Sequence, residues 1–176
     1  MLDRTALSLL GETASDLSMP EWRRRVVLVP QNQPTLDGTP REFYDQVCRY
    51  ANQQRYHGDK DALGKGGDGP KHPASIAEEW GLPRSAFDQS WSTLSGGESQ
   101  RASLAIALAL EPDVLLLDES TSTLDEQATL QIEQTLKRVG VPIIMVSHSI
   151  AQVDRFCSRH LVLLASHVES TVAGYE

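Results

Sequence analysis

Apolar runs and polar gaps alternate along the second half of the chain. Val114–Leu117 and Ile143–Val146 are short apolar runs with the length and composition of strands, and His160–Leu164 reads as a further one. Between them lie stretches with helical spacing. One starts near Ser95 and runs to about Leu110, where Pro112 ends it. Asp125–Val139 is a second, stopped by Gly140, and Ile150–Cys157 a third. Strand and helix in alternation predict an α/β fold with a parallel core sheet.

The first half reads differently. Val26-Val27-Leu28-Val29, closed by Pro30, predicts a buried strand. Thr39 before Pro40 reads as a helix cap and first helical residue, with the helix continuing to about Tyr56. Asp59–Pro73, with Gly64, Gly66, Gly67 and Gly69, reads as a flexible surface loop. Short helices are expected around Ser75–Trp80 and Arg84–Gln89. Strand signals are poor from Pro34 to Trp91, so this part reads as a helical insertion. The domain organisation that follows is a core of residues 1–33 and 92–176 interrupted by a helical subdomain, residues 34–91. Arg23-Arg24-Arg25 reads as a solvated edge, and Trp22, Trp80 and Trp91 as packing residues.

Composition narrows the function classes. The chain has 176 residues and a formal net charge of −8, from 24 acidic and 16 basic residues. That balance argues against a nucleic-acid binder, which carries a basic face. The two cysteines, Cys48 and Cys157, match neither a metal spacing nor a disulfide framework and read as ordinary thiols in a reducing compartment. No apolar stretch approaches the roughly 20 residues that cross a bilayer.

Five places along the chain can carry chemistry. In Leu94-Ser95-Gly96-Gly97-Glu98-Ser99-Gln100-Arg101, two glycines open a helix N-terminus, whose partial positive charge favours phosphate. The Ser95 hydroxyl can donate to a phosphate oxygen. Ser95 and Glu98 also fit a plain capping box. Val114-Leu115-Leu116-Leu117-Asp118-Glu119 is an apolar strand ending in two carboxylates, at the sheet edge where α/β proteins bind ligands. One carboxylate can hold Mg2+ through water, and the next can orient or deprotonate an attacking water. The pair also fits a surface acidic cap for the next helix. Asp125 follows a polar turn and fits an N-cap. His148, after Ile143–Val146, can reach a phosphate or a carboxylate from the same sheet edge. Gln31, after Val26–Pro30, can contact Mg2+ or water.

Order and spacing of these pieces resemble the ATPase domain of ABC proteins, from about Leu17 to Leu164. The resemblance implies a P-loop NTPase-like fold with a parallel core sheet and a helical insertion. It implies that Ser95, Gly96, Gly97 and Glu98 form the signature that closes over the γ-phosphate of ATP held by a second subunit. Asp118 then resembles the Mg2+-associated aspartate, Glu119 the general base, Asp125 the aspartate of the dimer-crossing loop and His148 the switch histidine. Gln31 resembles the glutamine that couples nucleotide, and Mg2+ through water, to the membrane partner. Glu98-Ser99-Gln100 departs slightly from the family pattern. The implied cofactors are ATP and Mg2+. The implied partners are a second ATP-binding subunit and a transmembrane permease, with no nucleic acid. The implied location is cytoplasmic, peripheral on the inner face of the cell membrane. The short segment Pro34–Glu42 is similar to the loop that meets the membrane protein, in the manner of compact iron- or metal-export ATPases.

One motif of that family is missing. No G-x-x-x-x-G-K-[ST], the backbone cradle for β- and γ-phosphates, occurs in the sequence: Gly64-Lys65 is followed by Gly66, and Gly69 by Pro70 and Lys71. The 30 residues before Gln31 are too few for the initial strands and that loop. The reading is therefore an N-terminally truncated ATPase domain that is inactive alone, with a genuine short form as the alternative. Two other functions compete: a soluble ABC ATPase of DNA repair or translation, and a degenerate, non-catalytic assembly subunit.

Overall fold

The computed structural model describes residues 7–31, 36–50, 72–163 and 168–171. The chain divides into two compact units, Met1–Met145 and Val146–Glu176.

The first unit opens with a small antiparallel hairpin, β1 (Ser8–Leu9) and β2 (Glu12–Thr13), turned through Leu10 and Gly11 at positive φ. Helix α1 (Met19–Arg25) is capped by Ser18 and runs straight into β3 (Val26–Val29). α2 (Pro40–Arg49) starts at Thr39, whose hydroxyl accepts from the Glu42 N–H while Glu42 accepts from the Thr39 N–H. α3 (Pro73–Glu78) and two 3-10 turns, Arg84–Asp88 and Trp91–Thr93, complete the helical part. Then come α4 (Gly96–Ala109), β4 (Val114–Asp118), α5 (Glu126–Val139) and β5 (Ile143–Val146). The second unit holds α6 (Ile150–Phe156), β6 (His160–Leu163) and β7 (Val168–Thr171).

The core sheet has the order β3-β4-β5, and β3 runs parallel to β4 with Val26 beside Val114 and Val29 beside Leu117. Leu115 and Leu117 are buried on one face together with Val29. Against that side lies α4, whose second half, Leu104–Ala109, is apolar all round with Leu104, Ala105 and Ile106 buried, as a helix segment enclosed by the core must be. α5 buries Ile132 and Leu136 and ends at Gly140, whose φ of 72° supplies the left-handed stop. Trp80, fully enclosed, donates its indole N–H to Thr135 Oγ1 of α5 at 3.0 Å.

Several sequence expectations hold closely: the helix from Ser95, the strand at Val114–Leu117, the Gly140 stop and the Thr39 cap. Among the described residues of 34–91 there is no strand. Others change. β3 is not fully buried: Leu28 is 58% exposed, because the alternate face of this strand is the uncovered one. β6, expected as a further strand of a parallel sheet, pairs antiparallel with β7 among the described residues. Arg25 does not belong to a solvated edge. It is buried, bonds Asp113 and Glu12, and so ties α1 to the start of β4 and to the hairpin. Those two hydrogen bonds, Glu12 first, raise its pKa further. α2, expected to continue to about Tyr56, stops at Arg49 with Tyr50 extended as its C-cap; residues 51–56 and most of the Asp59–Pro73 loop lie outside the described residues, while Pro73 itself starts α3.

Candidate functional site

β4 carries the acidic pair. Leu115 and Leu117 anchor it in the core, so Asp118 emerges, exposed, at the strand's C-terminal end. The next residue, Glu119, has a φ of 45°, a left-handed conformation that costs a side-chain-bearing residue about 1–2 kcal/mol. Strain of this kind persists only where the surroundings over-determine it, and it clusters at functional positions. Ser120 follows at 2% exposure, with no hydrogen-bond partner for its hydroxyl among the described residues. Turns closed by Ser122 N–H to Glu119 O and Leu124 N–H to Thr121 O lead to Asp125. Asp125 caps α5 by accepting from the Ala128 N–H at 2.8 Å.

The parallel register of β3 with β4 brings Gln31 to the same end of the sheet. Its Nε2 donates to Glu119 Oε2 at 2.6 Å, joining residues that are 88 positions apart. The bond holds the carboxylate beside the strand tip.

At the start of α4 the capping box is present. Glu98 accepts both the Ser95 N–H and the Ser95 hydroxyl at 2.8 Å, and Ser95 Oγ accepts the Glu98 N–H at 3.3 Å. These bonds, the backbone one first, hold the Glu98 carboxyl below its ordinary range. The Ser95 hydroxyl is thus engaged within its own helix turn, and Gly96 and Gly97 form the helix's first two positions. A Cβ on Gly97 would lie 3.5 Å from the Leu124 side chain and 3.6 Å from Thr123 O. The helix start therefore abuts the segment that leads to Asp125.

The first unit thus gathers Gln31 with Glu119, and the Ser95–Glu98 turn with the approach to Asp125. His148 belongs to the second unit, exposed between β5 and the Ser149 cap of α6. Ser120 and the Leu124 contact carried no sequence signal, since a serine and a leucine after an acidic pair are unremarkable in isolation.

The ABC transporter family profile matches residues 3–122. The chain belongs to that family. Among curated relatives, the putative ABC transporter ATP-binding protein YjkB of Bacillus subtilis (strain 168) is 34% identical over 157 residues, covering 87% of this chain and 57% of that protein. The phosphate import ATP-binding protein PstB of Thermotoga maritima is 38% identical over 149 residues, covering 79% and 53%. The chain spans about half the length of these curated relatives. A bacterial Atm1-family ABC exporter with ATP bound shares the fold, with a TM-score of 0.64 at 23% identity over 87% of this chain and 26% of that one. The expected ABC ATPase fold is therefore present. No helix among the described residues is long and apolar enough to cross a membrane.

The oxygen donors at the β4 tip suit a hard cation such as Mg2+, which keeps several waters and binds proteins through one or two carboxylates plus phosphate oxygens. Among the described residues no group of three or more His, Cys, Asp or Glu is clustered to hold a metal.

Proposed function

We propose that this ABC-family chain forms part of an ATP-hydrolysing subunit that powers solute movement through a separate membrane permease. The hydrogen bond between Gln31 and Glu119 carries the reading. It supports a carboxylate held at the strand tip, where it accepts a proton from an attacking water. The water oxygen bonds the γ-phosphorus as the bond to the β-phosphate oxygen breaks, and ADP leaves. His148 stabilises the charge that develops. Mg2+, when bound, shields the phosphate charges. Catalysis of this class is mainly positioning and electrostatics.

In this reading Ser95, Gly96, Gly97 and Glu98 close over ATP held by a second subunit, and Asp125 crosses to that subunit. Residues 34–91 are the helical subdomain between the glutamine and the signature, inserted in a core of residues 1–33 and 92–176. The protein works in the cytoplasm, peripheral to the membrane, against its permease. A second reading is a non-catalytic assembly subunit.

Radiolabelled ATP binding and turnover separate the two readings. The chain alone is expected to turn over no ATP. Joined to a segment bearing G-x-x-x-x-G-K-[ST] and assembled with its permease, it should hydrolyse ATP, and Glu119→Gln should lower the rate about 10²–10⁴-fold while ATP still binds. Binding without turnover in the assembled wild type would favour the assembly subunit. Turnover that survives Glu119→Gln would overturn the role given to Glu119.

A further inference from the structure

At the opposite end of α4 from the signature, the first unit contains a cleft of about 410 Å3. Its walls are Ile76 of α3, Leu108 and Ala109 of α4, and Val139 of α5. That apolar lining is of a size that suits a small ligand. None of the residues assigned above to ATP chemistry lines it.

The charged groups at this cleft are Glu79, Glu111 and Arg138. Arg138 is already tied to Glu79 by an ion pair at 2.6 Å. Glu111 is exposed, and its carboxylate has no hydrogen-bond or ion-pair partner among the described residues. It sits at a φ of 48°, which directs the chain sharply away from α4. The C-terminal turns of α4 and α5 both end here; the last turn of α5 carries Lys137 and Arg138, whereas that of α4 carries no basic residue and keeps its partial negative charge. An apolar wall, an unspent carboxylate and the uncompensated C-terminus of α4 complement a ligand with a hydrocarbon body and a cationic head. An anion would meet repulsion from Glu111 and from the end of α4, with Arg138 already engaged by Glu79.

We infer that this cleft binds small amphiphilic amines, the alkyl part against Ile76, Leu108 and Val139 and the ammonium against Glu111. The Trp80 indole N–H reports on it, because its acceptor Thr135 also lines the cleft. The test titrates the full 176-residue chain with hexylammonium at pH 7 and follows the Trp80 indole resonance by NMR. Hexan-1-ol and hexanoate serve as controls of equal chain length. A saturable shift with hexylammonium, at concentrations where the controls give none, is the expected result. Glu111→Gln should weaken it about two- to fivefold, as expected for one exposed charge pair. Glu111→Gly should abolish the preference for amine over alcohol while stabilising the fold, since glycine accepts positive φ without strain. No shift, equal shifts from all three compounds, or undiminished amine binding in both variants would overturn the inference.

Discussion

At the start of α4, Ser95 and Glu98 satisfy each other within one helical turn. At the end of β4, Glu119 adopts a left-handed backbone, leans on Gln31 from beyond the end of β3, and is followed by a buried hydroxyl with no partner among the described residues. Both segments are polar and both are short. One is specified by its own residues. The other exists only because a distant strand and a packed core hold it there. A segment of the first kind keeps its shape through small disturbances of the core, and one of the second kind does not.

The largest expected effect comes from removing the anchor of the second segment. Leu117 is 2% exposed and lies one residue before Asp118. Leu117→Ala should destabilise the first unit by about 2–5 kcal/mol, the usual cost of a buried leucine truncation with its cavity. Urea unfolding measures it. A loss below about 1 kcal/mol would show that the β4 tip does not depend on its core anchor.

This difference also explains what could be read in advance. The Ser95 helix start, the Thr39 cap and the Gly140 stop are local events, each signalled by residues within four positions. The acidic pair at the strand end was legible because an apolar run followed by carboxylates has a period and an edge. The left-handed Glu119 had no such signal: nothing in Leu117-Asp118-Glu119-Ser120 demands a positive φ. The Arg25 network was misread for the same reason. Three consecutive arginines look like a solvated edge until Asp113, 88 positions away, and Glu12 fold against one of them. The sequence pattern also marked β3 as buried without distinguishing its faces. Only the parallel register with β4 shows that Val29 points into the packed side and Leu28 out of it.

A smaller effect isolates the strain itself. Glu119→Ala and Glu119→Gly both remove the carboxylate and its bond to Gln31. Only glycine accepts a φ of 45° freely. The glycine variant should therefore be the more stable of the two by about 1 kcal/mol, after the greater freedom of its unfolded chain is deducted. Equal midpoints in urea would mean that the tip relaxes once Glu119 is gone, and that Gln31 was imposing the conformation. The same pair of substitutions at an ordinary helical position runs the other way, with alanine the more stable. The sign of the difference is therefore diagnostic.

The smallest effect tests the locally built end. The Glu98 carboxyl is held below its ordinary value of 4.5 by the Ser95 N–H first and the Ser95 hydroxyl second. Its contribution to stability is thus present above pH 4.5 and lost as pH falls through the depressed folded value. In that window the unfolded chain takes up the proton before the folded one does. Glu98→Gln keeps an acceptor at the same helix position and removes the titration. The stability difference between wild type and Glu98→Gln should narrow as the pH is lowered from 5 toward 3. The comparison cancels the carboxylates common to both proteins, and near-identical helix content excludes a change in the fold. A difference that stays constant across that range would show that Ser95 caps α4 without engaging the charge on Glu98. Protonating Glu98 should leave the Gln31–Glu119 bond untouched, since Glu98 bonds Ser95 within its own helix turn while Glu119 bonds Gln31. Turnover of the assembled protein and stability of the helix start should then respond to different titrations, as two independently built segments require.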